Sequence, residues 1–165
     1  MSFDPIQVGQ SLHKEQSILS GFYGAIITAV IINIIWVYIS MFFDRFFPWL
    51  SIVQGILIGK SIQKYGLGLD WYLPALAAIL TIIASVTGSF LSALYLTGRE
   101  FNTGAMMLID EISWHTLKTF MVNEFAIVGC IYAIFAAALA AYYAKRQLSR
   151  DQSIAFRKYR ESIKL

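Results

Sequence analysis

The chain has 165 residues, of which 58% are hydrophobic and 14% charged, with a formal net charge of +3. Soluble domains average about 45–50% apolar and about 25% charged residues, so the composition predicts a membrane-embedded chain. A single cysteine, Cys130, excludes an intrachain disulfide and a cysteine-based metal site, and the two histidines, His13 and His115, lie too far apart for a local two-histidine zinc motif.

In chain order, residues 1–17 are polar, carry Asp4 and Glu15, and do not read as a cleavable leader. A first span is expected over 18–43, where Asn33 is the only amide and no residue is charged. Asp44 and Arg45 mark a tight turn. A second span over 46–62 opens with Pro48 and Trp49, contains Gln54, and ends near Lys60 and Lys64, whose stems suit an interface. In the loop 63–72, Gly66 and Gly68 are expected to supply the positive-φ positions of a helix stop. A third span follows over 73–97. Segment 98–124 is read as an outer loop, with an amphipathic helix from Ala105 to Met121 lying at an interface, capping the bundle or binding a partner. A fourth span occupies 125–144, and a basic helical tail occupies 145–165.

These features predict an all-α integral membrane protein. It would be a single membrane domain: a four-transmembrane-helix bundle with an extracytoplasmic amphipathic helix between spans three and four. Ten Lys and Arg fall on the side of the termini and three on the other, which places both termini in the cytoplasm of a bacterial inner membrane. Small residues at helical spacing supply packing seams: Gly21, Ala25, Ala29 and Asn33 in the first span, and Gly55 and Gly59 in the second. The third and fourth spans continue them with Ser85, Gly88 and Ser89, and with Gly129, Ala133 and Ala137. The hairpin containing Gly55-Ile-Leu-Ile-Gly59-Lys60 and Gly66-Leu-Gly68-Leu-Asp70 resembles those of small bacterial inner-membrane proteins over residues 48–97, and it implies no functional residue.

The chemistry-bearing residues are sparse. Lys145, Arg146, Arg150, Arg157, Lys158 and Arg160 form a basic stretch suited to lipid headgroups or a partner. Glu111 and His115, four residues apart, share a helix face and are the candidate acid–base pair, but no nucleophile stands beside them. No phosphate-binding glycine loop is present, no cofactor or metal is implied, and nucleic acid is not an expected partner. The expected function is a non-catalytic integral membrane subunit of a larger assembly, with membrane lipids and other membrane chains, or copies of itself, as partners. The alternative is a homo-oligomeric channel or small-solute transporter lined by the Ser/Thr face of the third span.

Overall fold

The computed structural model describes residues 4–100 and 113–163. The described elements are seven α-helices and one π-helical turn. Helix α1, Pro5–Lys14, starts at Asp4, whose carboxylate accepts from the Ile6 N–H at 3.0 Å, and proline occupies its first turn. Helix α2, Ile18–Phe43, is capped by the Ser17 hydroxyl, which accepts from the Ser20 N–H at 3.2 Å. It stops where Asp44 turns left-handed (φ 51°) and Arg45 N–H donates to Ser40 O at 3.2 Å, closing the last carbonyls.

Helix α3, Leu50–Gly66, ends differently from the expectation. Neither Gly66 nor Gly68 takes a positive φ; Leu67 does, at 50°. Both glycines serve close approach instead. A Cβ on Gly66 would sit 3.2 Å from Gly21 Cα, and one on Gly68 would sit 2.9 Å from the Leu73 side chain. Helix α4 runs from Tyr72 to Glu100. Helix α5, Trp114–Phe120, leads through a π-turn, Met121–Phe125, into α6, Ala126–Tyr143. Helix α7, Arg150–Ile163, closes the described chain.

Helices α3 and α4 pack on each other, and both pack on α2 and α6, which lie on opposite sides of them. The shared core joins Ala25, Ile58, Ile62, Leu73, Ala77, Ala84, Ala140 and Ala144. Its closest approach is glycine on alanine: a Cβ on Gly55 would meet the Ala136 backbone, and one on Gly59 would lie 2.6 Å from Ala140 O. A second cluster of Phe120, Phe125 and Ala133 packs on Val86, Phe90 and Ala93, with the Phe90 and Phe120 rings edge to face at 5.1 Å. The outer faces of α2 and α6 leave Tyr23, Ile27, Ile34, Ile127 and Phe135 exposed. Helices α1 and α7 form a separate pair.

This architecture overturns the four-span expectation. Two helices, Ile18–Phe43 and Tyr72–Arg99, are long and apolar enough to cross a membrane by length and composition. Helix α3 has only 17 residues, because residues 46–49 form a turn ahead of it, and the apolar run of α6 is also short, Ile127–Tyr143. The orientation argument falls with the span count. Basic residues taken as markers of a cytoplasmic side are instead engaged within the fold: Arg146 pairs with Glu15 at 2.7 Å, and Arg160 with Asp70 at 2.9 Å. The inner-membrane placement, the lipid and membrane-chain partners and the membrane-subunit role lose their basis with it. The channel reading fails on geometry, because Ser85 and Ser89 are buried at 0% and 2% exposure inside this chain's own bundle rather than facing a lumen.

Candidate functional site

The most connected polar site lies where α3 hands over to α4. Leu67 turns the chain so that Asp70 enters a crevice beneath α1 and α7, where its side chain is 11% exposed. A carboxylate removed from water needs donors, and the surrounding segments supply them. Arg160 Nη2 of α7 meets Oδ1 at 2.9 Å. Gln16, in the link between α1 and α2, donates from Nε2 to Oδ2 at 3.0 Å. The Tyr72 hydroxyl at the start of α4 donates to Oδ2 at 3.3 Å, and His13 Nδ1 of α1 lies 3.3 Å from the same oxygen.

Gln16 works in both directions. Its Oε1 accepts from the N–H groups of Leu69 and Asp70 at 3.0 and 3.2 Å, so one side chain holds both the loop backbone and the carboxylate. Its Nε2 also lies 3.0 Å from His13 Nδ1. That ring nitrogen can accept from Gln16 or, when it carries a proton, donate to Asp70, but it cannot do both at once. Burial, then the Asp70 charge, then the hydrogen bond to Asp70 raise the Tyr72 hydroxyl above its ordinary 10.0, so it serves as a donor and not as a phenolate.

Further bonds tie the same corner together. Ser17 N–H donates to Gly66 O at 3.1 Å and Arg146 N–H to Gly68 O at 2.8 Å. Gln63 Nε2 donates to Lys145 O at 2.6 Å. Above them α1 and α7 touch along a glycine: a Cβ on Gly9 would sit 2.6 Å from Ala155 O and would also strike Tyr159. Leu12 and Ala155 are buried, and the His13 and Tyr159 rings lie 5.9 Å apart.

A second polar group sits inside the bundle. Gln54 Nε2 donates to Asn33 Oδ1 at 2.7 Å, and the Ser85 hydroxyl lies 3.5 Å from Gln54 Oε1. Near-complete burial extends to Trp36 Nε1 and to the hydroxyls of Ser40, Ser61, Thr81 and Ser92, none of which has a hydrogen-bond partner among the described residues.

The residues singled out from sequence are distributed as follows. Gly21, Ala25, Asn33, Gly55, Gly59, Ser85 and Ser89 are buried, and Ala29 is partly buried against the core. A Cβ on Gly88 would meet Asn33 Oδ1 at 2.5 Å. Gly129 is buried against Phe125 of its own segment, and Ala133 and Ala137 face inward. Of the basic stretch, Lys145 contributes a carbonyl, Arg146 and Arg160 join the Asp70 corner, and Arg157 pairs with Glu161 at 3.1 Å one turn away. Arg150 opens α7, and Lys158 is exposed. His115 is exposed on α5, and Glu111 lies outside the described residues, as do 105–112 of the expected outer helix.

Sequence reasoning missed Asp70, Gln16 and His13. Gln16 and Asp70 are 54 positions apart, and Arg160 is 90 beyond Asp70, so no local spacing links them. The one available signal was an acidic residue placed directly between a glycine turn and an apolar helix. Among the described residues, no group of three or more His, Cys, Asp or Glu could hold a metal ion. Comparison with protein families, with curated proteins and with solved structures gives no match.

Proposed function

We propose that the protein is a conformational module in which α1 and α7 form a latched pair, held on a rigid α2–α3–α4–α6 core by the Asp70 carboxylate. The observation that carries this reading is the convergence on that one side chain of His13, Gln16, Tyr72 and Arg160, which come from four separate parts of the chain. The core is held by glycine–alanine approach and apolar burial. The helix pair is held largely by polar bonds near the surface, and its Arg160 side chain is 56% exposed. Contacts of that kind open at lower free energy than a packed core.

The test is hydrogen exchange on the full chain with Asp70→Asn, which keeps the shape and removes the charge. The expected result is faster exchange confined to α1, α7 and loop 67–71, with α2, α3, α4 and α6 unchanged. Arg160→Gln should give the same pattern more weakly, because a half-exposed ion pair contributes only about 1 kcal/mol or less. Uniform loss of protection across the core, or no change in α1 and α7, would reject the latch.

A further inference from the structure

The opposite end of the molecule carries a feature that the latch does not use. Helix α2 has 26 residues and spans about 39 Å, so the turn that ends it lies far from Asp70. There Ile39, Phe43, Phe47, Trp49 and Leu50 wall an open concavity of about 600 Å³, with Arg45 at its edge. A second concavity of about 420 Å³ shares Ile39 and Phe43 and continues along α2 toward Ile35 and Tyr38. The larger concavity is a trough with apolar walls, of a volume typical of small-molecule sites. Its wall is braced by edge-to-face aromatic contacts, Phe43 on Phe47 at 5.8 Å and Phe47 on Trp49 at 6.4 Å.

Among the described residues, the charge at the mouth is unbalanced. Asp44 is engaged by Arg99 at 3.5 Å, and Arg99 also donates to Met41 O. The Arg45 backbone N–H is bound to Ser40 O, while its guanidinium has no carboxylate partner among the described residues. An apolar trough that ends at a guanidinium with no carboxylate partner among the described residues is complementary to a linear apolar chain bearing one terminal carboxylate, which a guanidinium can hold in a two-pronged bond.

We propose that this trough binds a free long-chain monocarboxylate. The alkyl chain lies along Ile39, Phe43 and Phe47, and the head group sits at Arg45. Trp49 is 49% exposed on the wall and is the natural reporter. The site is independent of the latch, so either reading can fail alone.

The experiment titrates the full chain with dodecanoate, followed by Trp49 fluorescence and calorimetry, with Trp49→Phe as the signal control. Dodecanoate should saturate at one per chain, and each added methylene should tighten binding by about two- to fourfold. Arg45→Gln, an exposed position outside the core, should weaken dodecanoate about tenfold and leave dodecanol unchanged. Dodecyltrimethylammonium should bind at least tenfold more weakly than dodecanoate. Equal affinity for the carboxylate and the ammonium, or indifference to Arg45→Gln, would overturn the proposal. So would a concentration-dependent rise in mass with no saturable carboxylate binding, which would give the trough to a second copy of the chain.

Discussion

Gln54 and Asn33 form a side-chain amide pair in the interior of the bundle, with Gln54 Nε2 donating to Asn33 Oδ1 at 2.7 Å while Gln54 is fully buried and Asn33 is 9% exposed. Each amide is the other's answer to burial. Gln54→Leu leaves the Asn33 oxygen without this donor and should cost about 1–3 kcal/mol, and Asn33→Leu should cost a similar amount. The double variant should recover much of the loss, because two matched apolar groups remove the orphaned partner as well. Denaturant unfolding of the four species checks the cycle; strictly additive losses would show that the pair is not coupled.

Gly55 and Gly59 permit α3 to approach α6 backbone to backbone. An added methyl at Gly55 would collide with the Ala136 carbonyl and one at Gly59 with that of Ala140. Neither neighbour can swing aside, since both obstacles are helix backbone. Gly55→Ala is therefore expected to destabilise by about 1–3 kcal/mol, although alanine is the better helix former by nearly 1 kcal/mol. Thermal unfolding reads the sign; a stabilised Gly55→Ala would contradict the close approach.

Leu67 stands where glycine would be the easy choice. Its left-handed conformation, φ 50°, costs about 1–2 kcal/mol for an ordinary side chain, and Leu67 is only partly buried. Leu67→Gly should therefore be neutral to stabilising by about 1 kcal/mol, the relief of strain outweighing lost burial and the added freedom of the unfolded chain. A large loss in unfolding free energy would mean that the leucine side chain anchors the loop.

The Tyr72 hydroxyl should report on the Asp70 corner at high pH. Burial, followed by the Asp70 charge and hydrogen bond, raises its proton affinity above the ordinary 10.0 in the folded state. The unfolded chain therefore releases this proton first as pH rises. The stability contributed by the neutral phenol is present below about pH 10 and is lost as pH climbs from there through the folded value. Subtracting the phenolate absorbance of Tyr72→Phe from that of the wild type isolates this titration. In Asp70→Asn it should move down toward the ordinary value, because the charge of Asp70 is gone.

Some of this organisation can be read locally. The charge-free, mainly apolar run from Ile18 to Phe43 lacks glycine or proline near its end and stops at a polar pair, so its helical character is legible from composition. Its surroundings are not. Hydropathy cannot distinguish an apolar residue that faces out, such as Ile27, from one packed within a core, such as Ile58. Leu67 shows the limit at single-residue scale: two glycines flank it, yet both are committed to neighbours distant in sequence, and the strain falls on the residue between them. The Asp70 corner was least legible, because its donors are ordinary polar residues of α1, the α1–α2 link, α4 and α7 that only the tertiary fold brings to the loop before α4.

The corner also bears on folding time. Arg146 and Glu15 are 131 positions apart, and Arg160 and Asp70 are 90 apart. Loop-closure entropy rises only with the logarithm of length, so these pairs are thermodynamically little dearer than short ones. Kinetically they differ, since contacts of wide sequence separation form after local ones. Pairing of the chain-adjacent helices α2 with α3 and α3 with α4 should thus precede the docking of α1 with α7. Stopped-flow refolding would then show two phases, with the slower one accelerated by nothing that strengthens the core and abolished when Asp70 loses its charge.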